Sequence, residues 1–191
     1  DVEQRDHWSF RRSKWFEHVG NECLNVKNNV GILDMTAFAK CRITGPGAKD
    51  FLDNLVANKL PQKNGRVNLC HALNTKGGVH SEFTIAKESD ESFYLVSAGA
   101  FQRLDHDWIR KWMPKDRSVF FENLTNSIGV LVIAGPKSRD LLNKISTSDF
   151  SNKAFPWLSA KKIDLGLAPS IAMRMNFVGE LGWELHHPIE Y

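Results

Sequence analysis

The chain has 191 residues, 42% hydrophobic and 10% aromatic, enough apolar material for a real core in one domain or one and a half. Its 25 basic and 22 acidic residues leave a net charge of +3, too mild to argue for a nucleic-acid partner. No stretch approaches the roughly 20 consecutive apolar residues of a membrane span, and Cys23, Cys41 and Cys70 are too few and too scattered for a disulfide framework or zinc knuckle.

The predicted elements run as follows. Trp15, Val19, Cys23 (or Glu22), Val26 and Val30 recur at helical spacing and suggest an opening amphipathic helix. A short apolar strand ends at Gly45-Pro46, and a helix then buries Ala48, Phe51, Leu52 and Leu55. Strands over 66–73 and 79–86 flank Asn74-Thr75-Lys76-Gly77-Gly78, a strong turn signal. An acidic turn at 88–91 leads into a strand that begins at Phe93. Phe101, Leu104, Asp105, Trp108, Ile109 and Trp112 predict a helix stopped by Pro114. Strands follow over 119–123 and 128–133, and 149–159 is the stretch expected to be irregular. At the end, Ile171, Met173, Met175 and Phe177 alternate with Ala172, Arg174 and Asn176. After the glycines of Val178-Gly179-Glu180-Leu181-Gly182, Trp183, Leu185 and His187 alternate with Glu184 and His186. That is a hairpin with a period-2 apolar face on both arms. Glu184 points away from that face, next to a rigid turn.

The chain also repeats itself. Ile43-Thr44-Gly45-Pro46 and the helix after it read like Ile133-Ala134-Gly135-Pro136 and its helix, at an offset of 90 residues. The same offset takes Phe93 to Trp183 and predicts that 79–86 corresponds to 169–176. The expected fold class is α+β: pseudo-symmetric mixed or antiparallel sheets with packed helices. Residues 1–30 form an N-terminal helical segment on a core spanning 31–191, with pseudo-repeats at about 39–97 and 129–187. Ligands commonly sit where two such halves meet.

Few residues advertise chemistry by themselves. Glu82 and Thr84 share the polar face of a strand whose Phe83 and Ile85 face the core. A carboxylate on a rigid strand suits acid–base or electrostatic work, although Glu at such a position is ordinarily just solvated. The adjacent pair His186-His187 and the run Asp105-His106-Asp107 lack metal-ligand spacing, so no metal is expected. No nucleophile elbow, Walker loop or dinucleotide fingerprint is present.

An ordered set of segments does point to one family. Val30-Gly31-Ile32-Leu33-Asp34-Met35-Thr36, Ile43-Thr44-Gly45-Pro46, Leu73-Asn74-Thr75-Lys76-Gly77-Gly78, Ile133-Ala134-Gly135-Pro136-Lys137-Ser138-Arg139 and Gly179-Glu180-Leu181-Gly182-Trp183-Glu184-Leu185 follow in that order. The sequence resembles the tetrahydrofolate-binding aminomethyltransferase family founded on the glycine cleavage T-protein. Asp107-Trp108-Ile109-Arg110 and Asp149-Phe150-Ser151-Asn152-Lys153-Ala154-Phe155-Pro156 favour its dimethylglycine and sarcosine dehydrogenase branch.

The resemblance implies the N-terminal half of that fold around a folate channel. An upstream flavin domain carrying FAD and a downstream barrel domain would lie outside this chain, which would then be truncated at its C-terminus. It further implies tetrahydrofolate-dependent one-carbon transfer. The iminium or formaldehyde from oxidative demethylation of dimethylglycine or sarcosine would be captured as 5,10-methylenetetrahydrofolate. A stand-alone T-protein or related demethylase, and a folate-binding module without catalysis, are the alternatives. By motif position, Glu184 matches the pterin-holding glutamate, with Leu185 and His186 lining the same contact. Phe177 stands where tyrosine is usual. Glu82 matches the carboxylate near the folate N5 and N10 nitrogens, followed by Phe83 and Thr84, and is the expected catalytic residue. Reduced folate is the expected partner, with neither nucleic acid nor membrane. The compartment implied is the cytoplasm in a bacterium or the mitochondrial matrix in a eukaryote, and no targeting segment is seen in this chain.

Overall fold

A computed structural model describes residue 5, residues 8–175 and residues 177–191. The expected N-terminal segment therefore falls partly, at residues 1–4, 6 and 7, outside the described residues, as does Asn176. Four α-helices and ten strands are present among the described residues: α1 Phe16–Asn28, β1 Gly31–Asp34, β2 Ala39–Thr44, α2 Ala48–Leu55, β3 Val67–Leu73, β4 Val79–Ser89, β5 Ser92–Ser97, α3 Gln102–Trp112, β6 Phe120–Asn123, β7 Ile128–Ala134, α4 Ser138–Ile145, β8 Ala160–Leu165, β9 Ala168–Met173 and β10 Gly182–Pro188. They form two antiparallel five-stranded sheets, ordered β3-β4-β5-β2-β6 and β8-β9-β10-β7-β1. No helix is long and apolar enough to cross a membrane.

Strand alternation sorts the core into three layers. Phe83, Ile85, Phe93 and Leu95 face α2 and α3 in one outer core. Trp183 and Leu185 face α4, Phe150 and Phe155 in the other. The opposite faces of the two sheets meet along a seam that contains Val67, Ala86, Tyr94, Val96, Met173 and Met175. Consecutive strand residues point to opposite faces. Phe93 and Trp183 therefore anchor the outer cores while the residues after them, Tyr94 and Glu184, turn to the seam.

The two sheets correspond position by position. Thr44 pairs with Ser92 as Ala134 pairs with Gly182, and α2 and α4 are 90 residues apart at both ends. Each sheet takes its edge strand from the lead-in to the other. β1 precedes β2 in the chain but pairs with β7, and β6 precedes β7 but pairs with β2. The crossovers are matched in detail. The Asp34 carboxylate accepts the Thr36 N–H at 2.8 Å, and the Asn123 side-chain oxygen accepts the Thr125 N–H at 3.1 Å. The Thr36 hydroxyl then accepts the Val130 N–H at 3.0 Å, and the Thr125 hydroxyl accepts the Lys40 N–H at 3.1 Å. Lys40 breaks the match. Fully buried, its ammonium donates to the Thr36 and Ile128 carbonyls at 2.7 Å each, and burial lowers its pKa.

Gly45 and Gly135 let these edge strands arrive. Both have left-handed φ values, 114° and 129°. A Cβ on Gly45 would stand 2.4 Å from the Ser118 carbonyl oxygen, and one on Gly135 would stand 2.4 Å from that of Asn29. Those same two carbonyls accept the N–H groups of Gly47 and Lys137, two residues further on in each copy.

Three sequence expectations shift. β1 was not anticipated, because its Ile32 and Leu33 are 63% and 57% exposed rather than alternating. Nor was β8, whose Lys161-Lys162 pair masks a strand held by six residue pairings to β9. The offset of 90 fails for β9. Thr84 pairs with Val96, but Ile171, only 87 residues further on, pairs with His186. β9 ends at Met173, and the chain between equivalent paired residues, Ile171 to His186 against Thr84 to Val96, is three residues longer in the second repeat. Met175 and Phe177 lie between β9 and β10 and not on a strand.

Gly135→Ala and Gly45→Ala should each cost roughly 2 kcal/mol or more, since a strained φ and a backbone clash act together; urea unfolding midpoints check this. Burial pushes the Cys41 thiol up to about 12 and the Cys70 thiol to about 11, while Cys23 is exposed. Because the thiolate is the reactive form, a thiol reagent at pH 8 should titrate one equivalent in the native protein and three after unfolding.

Candidate functional site

β5 ends at Ser97, while its neighbour β4 runs on past it to Val79. A cavity of about 550 Å³ opens there. Its apolar wall includes Met35, Phe38, Val96, Val130 and Phe177, and its polar groups include Glu82, Thr84, Asp105 and Glu184. A second cavity of about 490 Å³ lies against α1 and β1, and Met35, Phe177 and Glu184 line both. Glu184 thus stands at the wall shared by the two spaces.

Glu184 is 7% exposed and firmly held. His186 lies two residues on, on the same strand face, and its Nε2 is 3.2 Å from a Glu184 carboxylate oxygen. The His186 Nδ1 is 3.1 Å from the Tyr94 hydroxyl, which comes from the other sheet. Burial raises the pKa of Tyr94, so its hydroxyl remains protonated and can donate. One neutral tautomer satisfies all three groups: Tyr94 O–H donates to Nδ1, and Nε2–H donates to the carboxylate. The carboxylate then keeps further lone pairs for a ligand. Tyr94 occupies in the first sheet the position that Glu184 occupies in the second.

Glu82 is more open, with a half-exposed side chain. Its carboxylate lies 3.0 Å from Nε2 of His71 on β3. The His71 backbone N–H in turn donates to the Asn58 side-chain oxygen at 2.7 Å. The contact with His71 leaves the half-exposed Glu82 open to a ligand in the cavity.

Of the residues singled out in the sequence, Glu82, Thr84, Phe177 and Glu184 come together on one cavity. Phe83 and Leu185 are buried in the two outer cores, and His186 lies in the seam behind Glu184. Tyr94, His71 and Asp105 were not singled out as site residues. Tyr94 could have been found by carrying the repeat offset from Glu184 back to the first half. His71 depends on strand pairing, which opposes it to Glu82. Among the described residues no His, Cys, Asp and Glu cluster has metal-binding geometry.

Residues 4–191 match the GCVT N-terminal domain. The chain is 38% identical over 180 residues to the mitochondrial dimethylglycine dehydrogenase of Mus musculus, which covers 94% of this chain and 21% of that protein. It is 33% identical over 187 residues to sarcosine oxidase subunit alpha of Rhizobium meliloti (strain 1021), covering 93% of this chain and 18% of that one. The chain therefore spans about a fifth of the length of these relatives. In three dimensions it resembles the glycine cleavage system aminomethyltransferase T from Bartonella henselae, with a TM-score of 0.77 at 18% identity over 89% of this chain and 45% of that one. The motifs, the two-sheet architecture and the family match agree: the chain belongs to the GCVT N-terminal domain family, that of the glycine cleavage T-protein aminomethyltransferases.

Proposed function

We propose that this chain binds tetrahydrofolate and uses it for one-carbon transfer, as the folate part of a dimethylglycine- or sarcosine-oxidising protein. The observation that carries this reading is the meeting of Glu184 and Glu82, one from each repeat, on a single largely apolar cavity. The residues suit the ligand. The pterin 2-amino group and N3–H form a flat double donor, and a buried carboxylate can accept both bonds. The apolar wall suits the aromatic rings, and the exposed Phe177 can lie across them.

Tetrahydrofolate, when bound, supplies the nucleophilic nitrogens that receive the one-carbon unit. The chain supplies orientation and proton handling. Glu184, steadied by His186 and Tyr94, fixes the register of the ligand. Glu82 holds a negative charge beside the reacting nitrogens and can take or return a proton there, with His71 keeping it in place. The apolar wall limits water around the reacting carbon. The reading places 31–191, with pseudo-repeats at 39–97 and 129–187, as the folate-binding core of a longer protein, with FAD on a separate part of it. The mitochondrial matrix or the bacterial cytoplasm is the compartment that goes with this reading.

Calorimetric titration of reduced folate into the chain and its variants tests the assignment. Glu184→Gln should weaken binding by roughly 10- to 100-fold, the worth of a charge-assisted pair of hydrogen bonds. Glu82→Gln should leave affinity within about twofold but slow capture of formaldehyde by about 100-fold or more. Equal losses from both variants, or none, would remove these roles. Tyr94→Phe should weaken folate binding several-fold by releasing His186, and should do nothing further in a Glu184→Gln background.

A further inference from the structure

Two glutamates of the cavity each face a histidine, and the two pairs differ in where their protons sit. His186 Nε2 is 3.2 Å from a Glu184 oxygen, and His71 Nε2 is 3.0 Å from a Glu82 oxygen. The other nitrogen of each ring tells them apart. His186 Nδ1 faces the Tyr94 hydroxyl at 3.1 Å and accepts a hydrogen bond from it, which leaves the ring proton on Nε2 for Glu184.

His71 Nδ1 faces the Asn58 Oδ1 at 3.3 Å. That atom is an oxygen and not the amide nitrogen, because it also accepts the His71 backbone N–H at 2.7 Å, and a backbone N–H can only donate. An amide oxygen cannot donate to Nδ1, so Nδ1 carries the ring proton. A neutral His71 would then turn a bare Nε2 lone pair toward a Glu82 carboxylate. Two acceptors in contact need a proton between them. Either the imidazole is a cation beside the carboxylate, or the carboxyl is protonated and donates to Nε2. Both descriptions hold one proton more than the Glu184–His186 pair. Among the described residues Glu82 forms an ion pair with His71 and with no lysine or arginine, so no fixed cation takes the place of that proton.

We infer that the Glu82–His71 pair is the proton store of the reaction, with His71 acting through Glu82. Glu82 lines the cavity and His71 does not. The inference rests on the one-carbon-transfer reading above, and adds where the transferred proton comes from. Capture of formaldehyde by two N–H nitrogens forms two C–N bonds, breaks the C=O bond and releases water. The oxygen gains two protons and the nitrogens lose two, so no proton is consumed overall. The stored proton can go to the departing oxygen, and a proton from a nitrogen refills the pair. Glu184, whose histidine has no spare proton, stays a negative acceptor throughout. One kind of contact thus serves two roles, chosen by a tyrosine donor behind one histidine and an asparagine acceptor behind the other.

Nitrogen NMR of the folate-free chain, with the His71 ring assigned by through-bond correlation to its backbone, reads the tautomer directly. Nδ1 of His71 should be protonated, and a bare Nδ1 would overturn the inference. In turnover His71→Ala should slow formaldehyde capture by about tenfold or more while leaving folate affinity within about twofold. Added imidazole should restore much of that loss, since the His71 side chain is 31% exposed and its place can be filled from solvent. Imidazole should speed neither the wild-type chain nor Glu82→Gln, because the pair is already loaded in one and lacks its carboxyl in the other. An unchanged rate, or a loss that imidazole does not reverse, would count against proton supply and leave His71 a packing role. The NMR result on the unaltered chain decides if His71→Ala does not fold. A failure of Glu184→Gln to alter folate binding would instead sink the folate reading and leave the tautomer standing.

Discussion

The exchange of edge strands holds this structure together. β1 and β6 each leave their own repeat, cross the seam and complete the other sheet. A short polar turn marks each crossing, and a threonine hydroxyl in each turn caps a backbone N–H of the opposite repeat, Val130 for Thr36 and Lys40 for Thr125. Separating the two sheets would expose both sets of ladder hydrogen bonds at once, so the halves behave as one unit. Without that constraint the seam would be an ordinary interface between two layers, free to slide. With it, residues more than 80 positions apart in the chain are held to hydrogen-bonding precision.

A seam between matched halves presents matched positions, and the chemistry arises where the match fails. Tyr94 and Glu184 are equivalent by position but differ in kind: one is a neutral donor that orients a histidine, the other an acceptor facing a cavity. Lys40 replaces an apolar partner at 130 and donates to two carbonyls of the crossover region. The hairpin of β9 and β10 has three residues more between equivalent pairs than its counterpart, and the longer connection carries Phe177, which lines both cavities. In the first half, α3 follows β5 and places Asp105 at the cavity wall. Each departure is small in sequence, yet together they give one side of the seam a hydrogen-bond acceptor and the other a recess.

Much of this was readable from local pattern. The two Gly-Pro corners and the helices after them show in the spacing of Ala48, Phe51, Leu52 and Leu55 and of their counterparts, because packing a helix on a sheet demands that spacing. The hairpin around Trp183 shows in its period-2 alternation. The strands that pattern reading overlooked, β1 and β8, are an exposed edge and a lysine-bearing edge, where burial imposes little periodicity. The offset that located the repeat misplaced β9, because an insertion in a turn leaves the residue pattern on either side intact while shifting the register.

What the sequence determined by itself was most of the elements, their duplication and the family to which the ordered motifs belong, since these follow from local sterics, hydrophobic spacing and residue identity. The tertiary structure alone decided which residues share a space. Glu82 and Glu184 are on different sheets, His71 meets Glu82 only through strand pairing, and Tyr94 reaches Glu184 only across the seam. Phe83 and Leu185, adjacent in sequence to the two cavity glutamates, turn away into the outer cores. One residue along a strand reverses the face of the sheet, and only the closed arrangement of the two sheets makes one face core and the other a binding cavity.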